Sequence, residues 1–261
     1  VPTGEIYNFN VEYNSTAAQN IMAGTYNQDL AISGARGATN VTCQSGGTFT
    51  LNNNFIYTAT FGTGTFIPSG STFNYNGAGV QTVAAVPYTN LSFNNNGIKT
   101  LPNGTANIAG SLTINNNATF ATTNTATLIG AFTTFTDNAL TSILRIGSIA
   151  ATPVPAGKIY AFSVSYNAGG NQTVFPGTYS NLIIEGSGTK THDASAGSSI
   201  GGILTINDNC TFSLPTGANL TGSFTNVNSN TANSTLFITN TSPTPVPAGL
   251  IYNSIVEYNG S

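Results

Sequence analysis

Few residues in this chain are of the kinds that do chemistry, and their spacing decides what they offer. The single histidine, His192, lies in Lys190-Thr-His-Asp-Ala-Ser195, which gathers an imidazole, a carboxylate and a hydroxyl. Acyl transfer by such a set needs three groups that converge in space, and adjacency along a chain does not supply that. A second copy of this segment carries Leu101 at the histidine's position, so His192 is read as a surface-loop residue with no catalytic role. The acids Glu5, Glu12, Asp29, Asp137, Glu185, Asp193, Asp208 and Glu257 are dispersed. Paired carboxylates in the groove of a coiled β-fold would suit polysaccharide cleavage. Glu12 and Glu257 do share one repeat position, but Ser165 and Asn74 fill it in the other copies, which points to a surface role.

Metal and nucleotide chemistry fares no better. Cys43 and Cys210 sit in neither a Cys-x-x-Cys nor a Cys/His cluster. They are expected to be two separate buried thiols behaving as small hydrophobes, with a single disulfide as the alternative. Asp29, Asp137 and Asp208 are isolated, and no Gly-Gly-x-Gly-x-Asp loop is present, which leaves calcium at a repeat junction as the one metal reading. Gly62-Thr-Gly64 lacks the lysine and helix of a phosphate loop. The pairs Thr48/Thr50, Thr58/Thr60 and Thr63/Thr65 resemble the spacing of flat ice-binding faces but do not recur once per coil. Many sequons occur, among them Asn14, Asn40, Asn90, Asn103, Asn117, Asn209 and Asn233, and in so Asn- and Thr-rich a chain most arise by chance. No catalytic, cofactor-binding or metal-binding residue is assigned, and no cofactor is expected.

The elements that would position any site follow from composition. The 261 residues include 5 Lys/Arg and 8 Asp/Glu, a charged fraction of 5% against about 25% in ordinary soluble chains. Asn, Thr, Ser and Gly replace the missing charges. Hydrophobic residues still reach 39%, with 15 Phe and 11 Tyr, too much apolar material for a disordered tract. A net charge of −3 argues against nucleic acid as a partner. No apolar run is long enough for a membrane-spanning helix, so no membrane insertion is expected. Scarce helix formers and abundant β-branched and aromatic residues predict an all-β fold.

Internal repetition sets the organisation. Val154-Pro-Ala-Gly-Lys-Ile-Tyr through Tyr166-Asn167 recurs as Val246-Pro-Ala-Gly-Leu-Ile-Tyr through Tyr258-Asn259, and opens the chain as Val1-Pro-Thr-Gly-Glu-Ile-Tyr through Tyr13-Asn14. Leu112-Thr-Ile-Asn-Asn-Asn-Ala-Thr-Phe120 matches Leu204-Thr-Ile-Asn-Asp-Asn-Cys-Thr-Phe212 at an offset of 92 residues, and Leu128-Ile-Gly-Ala-Phe132 matches Leu220-Thr-Gly-Ser-Phe224 at the same offset. The copies are taken as residues 1–66 (shortened by about 24 residues), 67–153, 154–245 and the start of a fourth at 246–261. A repeat of this length fits either a β-solenoid or a string of β-sandwich domains. Apolar strand starts at Leu91, Leu112, Leu128, Leu144 and Ile159 come every 15–21 residues, the size of one solenoid coil. A solenoid also tolerates the loss of a coil in the first copy, so the prediction is a parallel β-helix-like solenoid. Counting those starts as coils gives about 14 of them, a rod roughly 65 Å long. Asn runs such as Asn52–Asn54, Asn94–Asn96 and Asn115–Asn117 fall where strands end, as turn residues able to form ladders along the rod.

Phe73-Asn-Tyr-Asn-Gly, Gln81-Thr-Val, Tyr88-Thr-Asn-Leu91, Lys99-Thr100 and Ile108-Ala-Gly-Ser-Leu-Thr-Ile-Asn115, with their partners from Tyr166 to Asn207, resemble the long repeats of secreted surface proteins of the Bacteroidetes type, including gliding-motility adhesins. The resemblance covers nearly the whole chain. It implies secretion, extracellular display at the cell surface and an adhesive or filament-forming role. The expected partners are neighbouring repeats of the same chain or protomers of a fibre, with surface glycans as ligands in an adhesive reading that uses exposed tyrosines such as Tyr88 and Tyr179. A non-enzymatic stalk or fibre segment is the leading expectation. A carbohydrate-binding module and a polysaccharide-active β-helix enzyme are the alternatives.

Overall fold

A computed structural model describes residues 2–137 and 141–260, so Val1 of the first Val-Pro-x-Gly element lies outside the described residues. Among the described residues every element is a strand and every strand pairing is parallel. The chain is a parallel β-solenoid of about 11 turns with a repeat spacing of about 22 residues. Parallel neighbours cannot be joined by a tight hairpin, so strands stacked side by side must come from successive turns. The sequence shows why each turn is held. In Leu30–Ile32, Val41–Cys43 and Leu204–Ile206 the first and third side chains are buried and the middle one faces outward, the period-2 pattern of a one-sided strand.

Three strands make a turn. Glu5–Tyr7, Val11–Tyr13 and Gln19–Ile21 form the first, and Gly24–Tyr26, Leu30–Ile32 and Val41–Cys43 lie over them in register. The rod thus has three flanks. Longer strands bend round a corner and serve two of them. Thr105–Ile114 pairs through residues 107–108 with 87–88 and through 111–114 with 90–93, with an irregularity at Tyr88/Asn90.

The expected count of about 14 coils is too high, and the reason is geometric. Leu112 and Leu128 are 16 residues apart but stand on different flanks, since Leu112 pairs with Thr134 and Leu128 with Ala106. Apolar strand starts recur more than once per turn, so counting them mixes steps around the rod with steps along it. True register steps are longer, as in Phe49↔Phe73, Leu91↔Leu112 and Leu182↔Leu204. At about 4.8 Å per turn the rod is roughly 50 Å long.

Inward residues stack in columns, and two columns are copies of each other. Gln81, Lys99, Phe120, Leu144 and Val164 lie in register on one flank. Gln172, Lys190, Phe212, Leu236 and Val256 do the same on another. The first column continues through Leu182, Leu204, Val227 and Tyr252. A column begun by one copy is therefore completed by the next, whose opening strand stacks on the preceding copy's second flank. From the second copy onward each copy starts one flank further round the rod.

Asparagine ladders run outside this core. The Nδ2 groups of Asn27, Asn52, Asn76 and Asn95 each donate to the Oδ1 of the asparagine one turn back, beginning at Asn8, over 2.6 to 3.2 Å. Asn116, Asn117, Asp208 and Asn209 hold φ between 53° and 60°, so both copies of the Asn-rich turn use the left-handed conformation that Asn and Asp tolerate.

The Leu-x-Gly-x-Phe motif also has a backbone cause. Gly130 and Gly222 have φ of 111° and 112°, and a Cβ on either would sit 2.1 Å from the carbonyl oxygen of Ile108 or Ile200 in the turn below. Gly222→Ala is expected to cost about 3 kcal/mol, from a disfavoured φ together with a backbone clash. Chemical denaturation of the variant against the parent checks it, and an unchanged midpoint would refute the close approach.

Candidate functional site

The residues singled out in the sequence turn out to be held by the scaffold. His192 is not on a surface loop. It ends the strand Thr189–His192, is fully buried, and stands at the register position of Leu101 in the other copy. Its Nδ1 lies 2.7 Å from the carbonyl oxygen of Asp193, and its Nε2 lies 2.7 Å from Ser198 Oγ. An N–H can face a carbonyl only as donor, so Nδ1 carries the proton and Nε2 accepts from the serine hydroxyl. Ser198 Oγ in turn accepts the backbone N–H of Gly177 at 3.1 Å. The Asp193 carboxylate turns away and accepts the N–H of Ser195, so the sequence neighbours do not converge. The alignment with a buried leucine was the signal that this position faces inward.

Burial lowers the pKa of His192, outweighing the opposing pull of Asp193. The unfolded chain takes up its proton near pH 6.5 while the folded chain resists, so stability is retained above that pH and lost progressively below it. The melting temperature is expected to fall between pH 6.5 and 5, and His192→Leu should flatten that part of the profile. An identical pH profile in both proteins would show that the buried imidazole does not carry the effect.

The acids are brought to no common site. Five of the eight brace a neighbouring turn: Glu12 accepts from Ser33 Oγ, Asp29 from Asn54 N, Asp137 from Asn116 N, Glu185 from Ser165 Oγ and Asp208 from Gly186 N. Among the described residues no three His, Cys, Asp or Glu side chains gather as a metal site would require. Cys43 and Cys210 are free and buried, and burial pushes the Cys43 thiol up to about 12. Outward positions in register on the first flank read Thr25, Thr50, Asn74, Ser92 and Thr113, so Asn74 and Ser92 interrupt the threonine row on that face.

Tyr88 and Tyr179, expected to be exposed, are each 1% accessible. Their hydroxyls meet those of Tyr75 and Tyr166 at 3.1 and 3.2 Å, and each also donates to a backbone carbonyl, of Ala84 or Phe175. The same hydroxyl of Tyr75 accepts Ala84 N–H, and that of Tyr166 accepts Phe175 N–H. Burial drives the pKa of all four phenols upward, Tyr75 and Tyr166 to about 12. These pairs fasten a chain corner in the second and third copies and present no ring to a ligand.

Three of the five cations are also internal, which composition alone did not suggest. Lys99 Nζ donates to the carbonyls of Gly77, Asn95 and Asn96 at 2.7 to 3.3 Å, and Lys190 Nζ to those of Ala168, Gly170 and Ser187 at 2.5 to 2.7 Å. In the first copy Arg36 donates to the carbonyls of Ser15 and Tyr13 and to Gln19 Oε1. One turn below each lysine, the side-chain amide of Gln81 bonds the carbonyls of Leu51 and Asn53, and that of Gln172 bonds those of Ile146 and Ser148. Those carbonyls belong to the preceding copy. The repeated Gln-Thr-Val motif is therefore a stitch across the places where one copy hands over to the next, and the Lys-Thr motif ties successive turns within its own copy.

Where the stitches lie, the stacking opens slightly. One groove, of about 400 Å3, is lined by Asn54 through Thr58 with Thr82, Ala84 and Ala85. Another, of about 250 Å3, is lined by Ile149, Ala150, Ala151 and Asn171 through Thr173, with Thr191. Thr82 and Thr173 hold the same repeat position, so both grooves are features of copy junctions. No family model, curated protein or solved structure matches the chain.

Proposed function

We propose that this chain is a non-enzymatic structural segment of a long, repetitive extracellular surface protein, serving as stalk or fibre. The observation that carries this reading is the handover between copies. Because the opening strands of the third and fourth copies continue columns begun by their predecessors, and a buried glutamine stitches the second and third copies to the copy before, the described core runs on across the copy boundaries where separate domains would hinge. A rod of this kind lengthens simply by adding copies. Its ionisable groups support the same reading, since the buried Lys, Arg and His and most of the acids are committed to backbone or neighbouring side chains. The resemblance of its motifs to surface-adhesin repeats adds secretion and cell-surface display to the proposal. Immunogold electron microscopy of intact source cells with antibody to this chain tests it: gold on thin surface projections is expected, and gold confined to the cell interior would overturn it.

A further inference from the structure

We infer that the groove at the junction of the first and second copies is a binding subsite for a neutral sugar unit. One wall of it is the strand Phe55–Tyr57, the last member of a three-stranded sheet, which among the described residues pairs only with Leu30–Ile32 one turn below. The opposite wall is the corner at Ala84 and Ala85, whose small side chains leave the opening wide. That corner is fixed from beneath, because Ala84 N–H donates to Tyr75 Oη at 3.2 Å and Ala84 O accepts from Tyr88 Oη at 2.8 Å. Tyr57 is half-buried and held between two rings. Phe61 stacks on it with centroids 6.4 Å apart at 19°, and Phe66 meets it edge-on at 5.6 Å. The aromatic surface is thus ordered before any ligand arrives, which reduces the entropy cost of binding.

The chemistry of the lining selects the occupant. Tyr57 and the 40%-exposed Ile56 offer apolar area, while Asn54, Thr58 and Thr82 place amide and hydroxyl groups at the rim. A pyranose has the complementary make-up, an apolar C–H face for a ring and hydroxyls for a polar rim. No lining residue carries a formal charge, and nearby Arg36 is 2% exposed and occupied by carbonyls. An anionic sugar would have no partner there, and a neutral one needs none. The sister groove has Ile149, Ala150 and Ala151 in place of the aromatic wall, so it provides an internal control. This subsite goes beyond a stalk role and stands or falls separately from it.

Affinity electrophoresis of the full 261-residue chain tests the inference, with gels containing neutral polymers (laminarin, mannan, dextran, hydroxyethylcellulose) or the acidic polymer alginate. Retardation by at least one neutral polymer and not by alginate is expected. Tyr57→Ala should weaken that retardation at least tenfold while the chain still melts cooperatively at a somewhat lower temperature, Tyr57→Phe should keep most of it, and Ile149→Ala should keep all of it. Absence of retardation by every neutral polymer would overturn the inference. So would retention of binding in Tyr57→Ala, or preferential retardation by alginate.

Discussion

Leu204→Asp is expected to unfold the third copy and to be the most damaging single substitution in the chain. Leu204 is fully buried and lies in register between Leu182 below and Val227 above, within the long inward column that starts at Gln81. Losing the leucine removes its packing on both neighbours, worth about 3 kcal/mol with the cavity it leaves. Placing a carboxylate there adds a desolvation cost of several kcal/mol, because its neighbours in the column, Leu182 and Val227, offer neither a cation nor a side-chain N–H. In a stacked array each turn is stabilised by its neighbours alone, so the loss spreads along the rod without being diluted over a globular core. Circular dichroism melting should show a lost or strongly lowered transition, and limited proteolysis should cut first near residue 204. Leu112→Asp, at the same repeat position, should do the same to the second copy. Cooperative melting at the parental temperature in both variants would refute the stacked core.

The second large effect is expected from Lys190→Met. Methionine matches the length of the stem, so packing along the column is largely kept and the amine is what is lost. Three carbonyls, of Ala168, Gly170 and Ser187, lose a charged donor in a site closed to water. Bonds to a charged group are worth about 1.5–3 kcal/mol, and orphaning buried acceptors brings a loss of about 4 kcal/mol within reach. Lys99→Met should behave alike, and Lys99 adds a pH signature. Burial lowers its pKa to about 8, so between that pH and about 10 the unfolded chain holds a proton that the folded chain has released. Stability of the parent should therefore rise with pH across that window, and the rise should be absent in Lys99→Met. Above pH 10 the buried tyrosines, whose pKa values are raised, reverse the trend as the unfolded chain ionises first. A parent whose stability falls steadily from pH 8 would contradict the burial-lowered pKa and show that the carbonyls hold the ammonium more strongly than burial disfavours it.

Much of the architecture was legible in the sequence, because alternation within Leu204–Ile206 and its relatives states directly which side chains face inward. The Asn-rich turns and their ladders were legible for a similar reason, since asparagine's tolerance of the left-handed region is a local property. What failed was information that exists only once turns are superposed. The number of turns was overcounted because Leu112 and Leu128 look alike in sequence yet face different flanks. His192 and the lysines were misplaced or passed over because ionisable side chains ordinarily face water. A solenoid corner, however, turns several backbone carbonyls towards one point, and that point accepts a buried ammonium. Tyr88 and Tyr179 went astray in the same way, as each phenol found its partner in another phenol thirteen residues back in the chain. The aromatic groove at Tyr57 left no pattern of its own in the sequence. It arises from the meeting of two copies, and its walls come from residues nearly thirty positions apart.

The handover of columns from flank to flank has a bearing on avidity. If the second and third copies set the rule for a longer array, a side chain repeated in every copy is carried a third of the way round the rod with each repetition. It then faces the same direction once every three copies, or about 60 Å of rod at about 4.8 Å per turn. A flat target lying alongside the array would meet equivalent positions at that pitch, and two of every three would point elsewhere. Crowded partners approaching from all sides would each find one. Such an array would gain little from multivalent adhesion to one sheet-like surface and much from entanglement in a three-dimensional matrix.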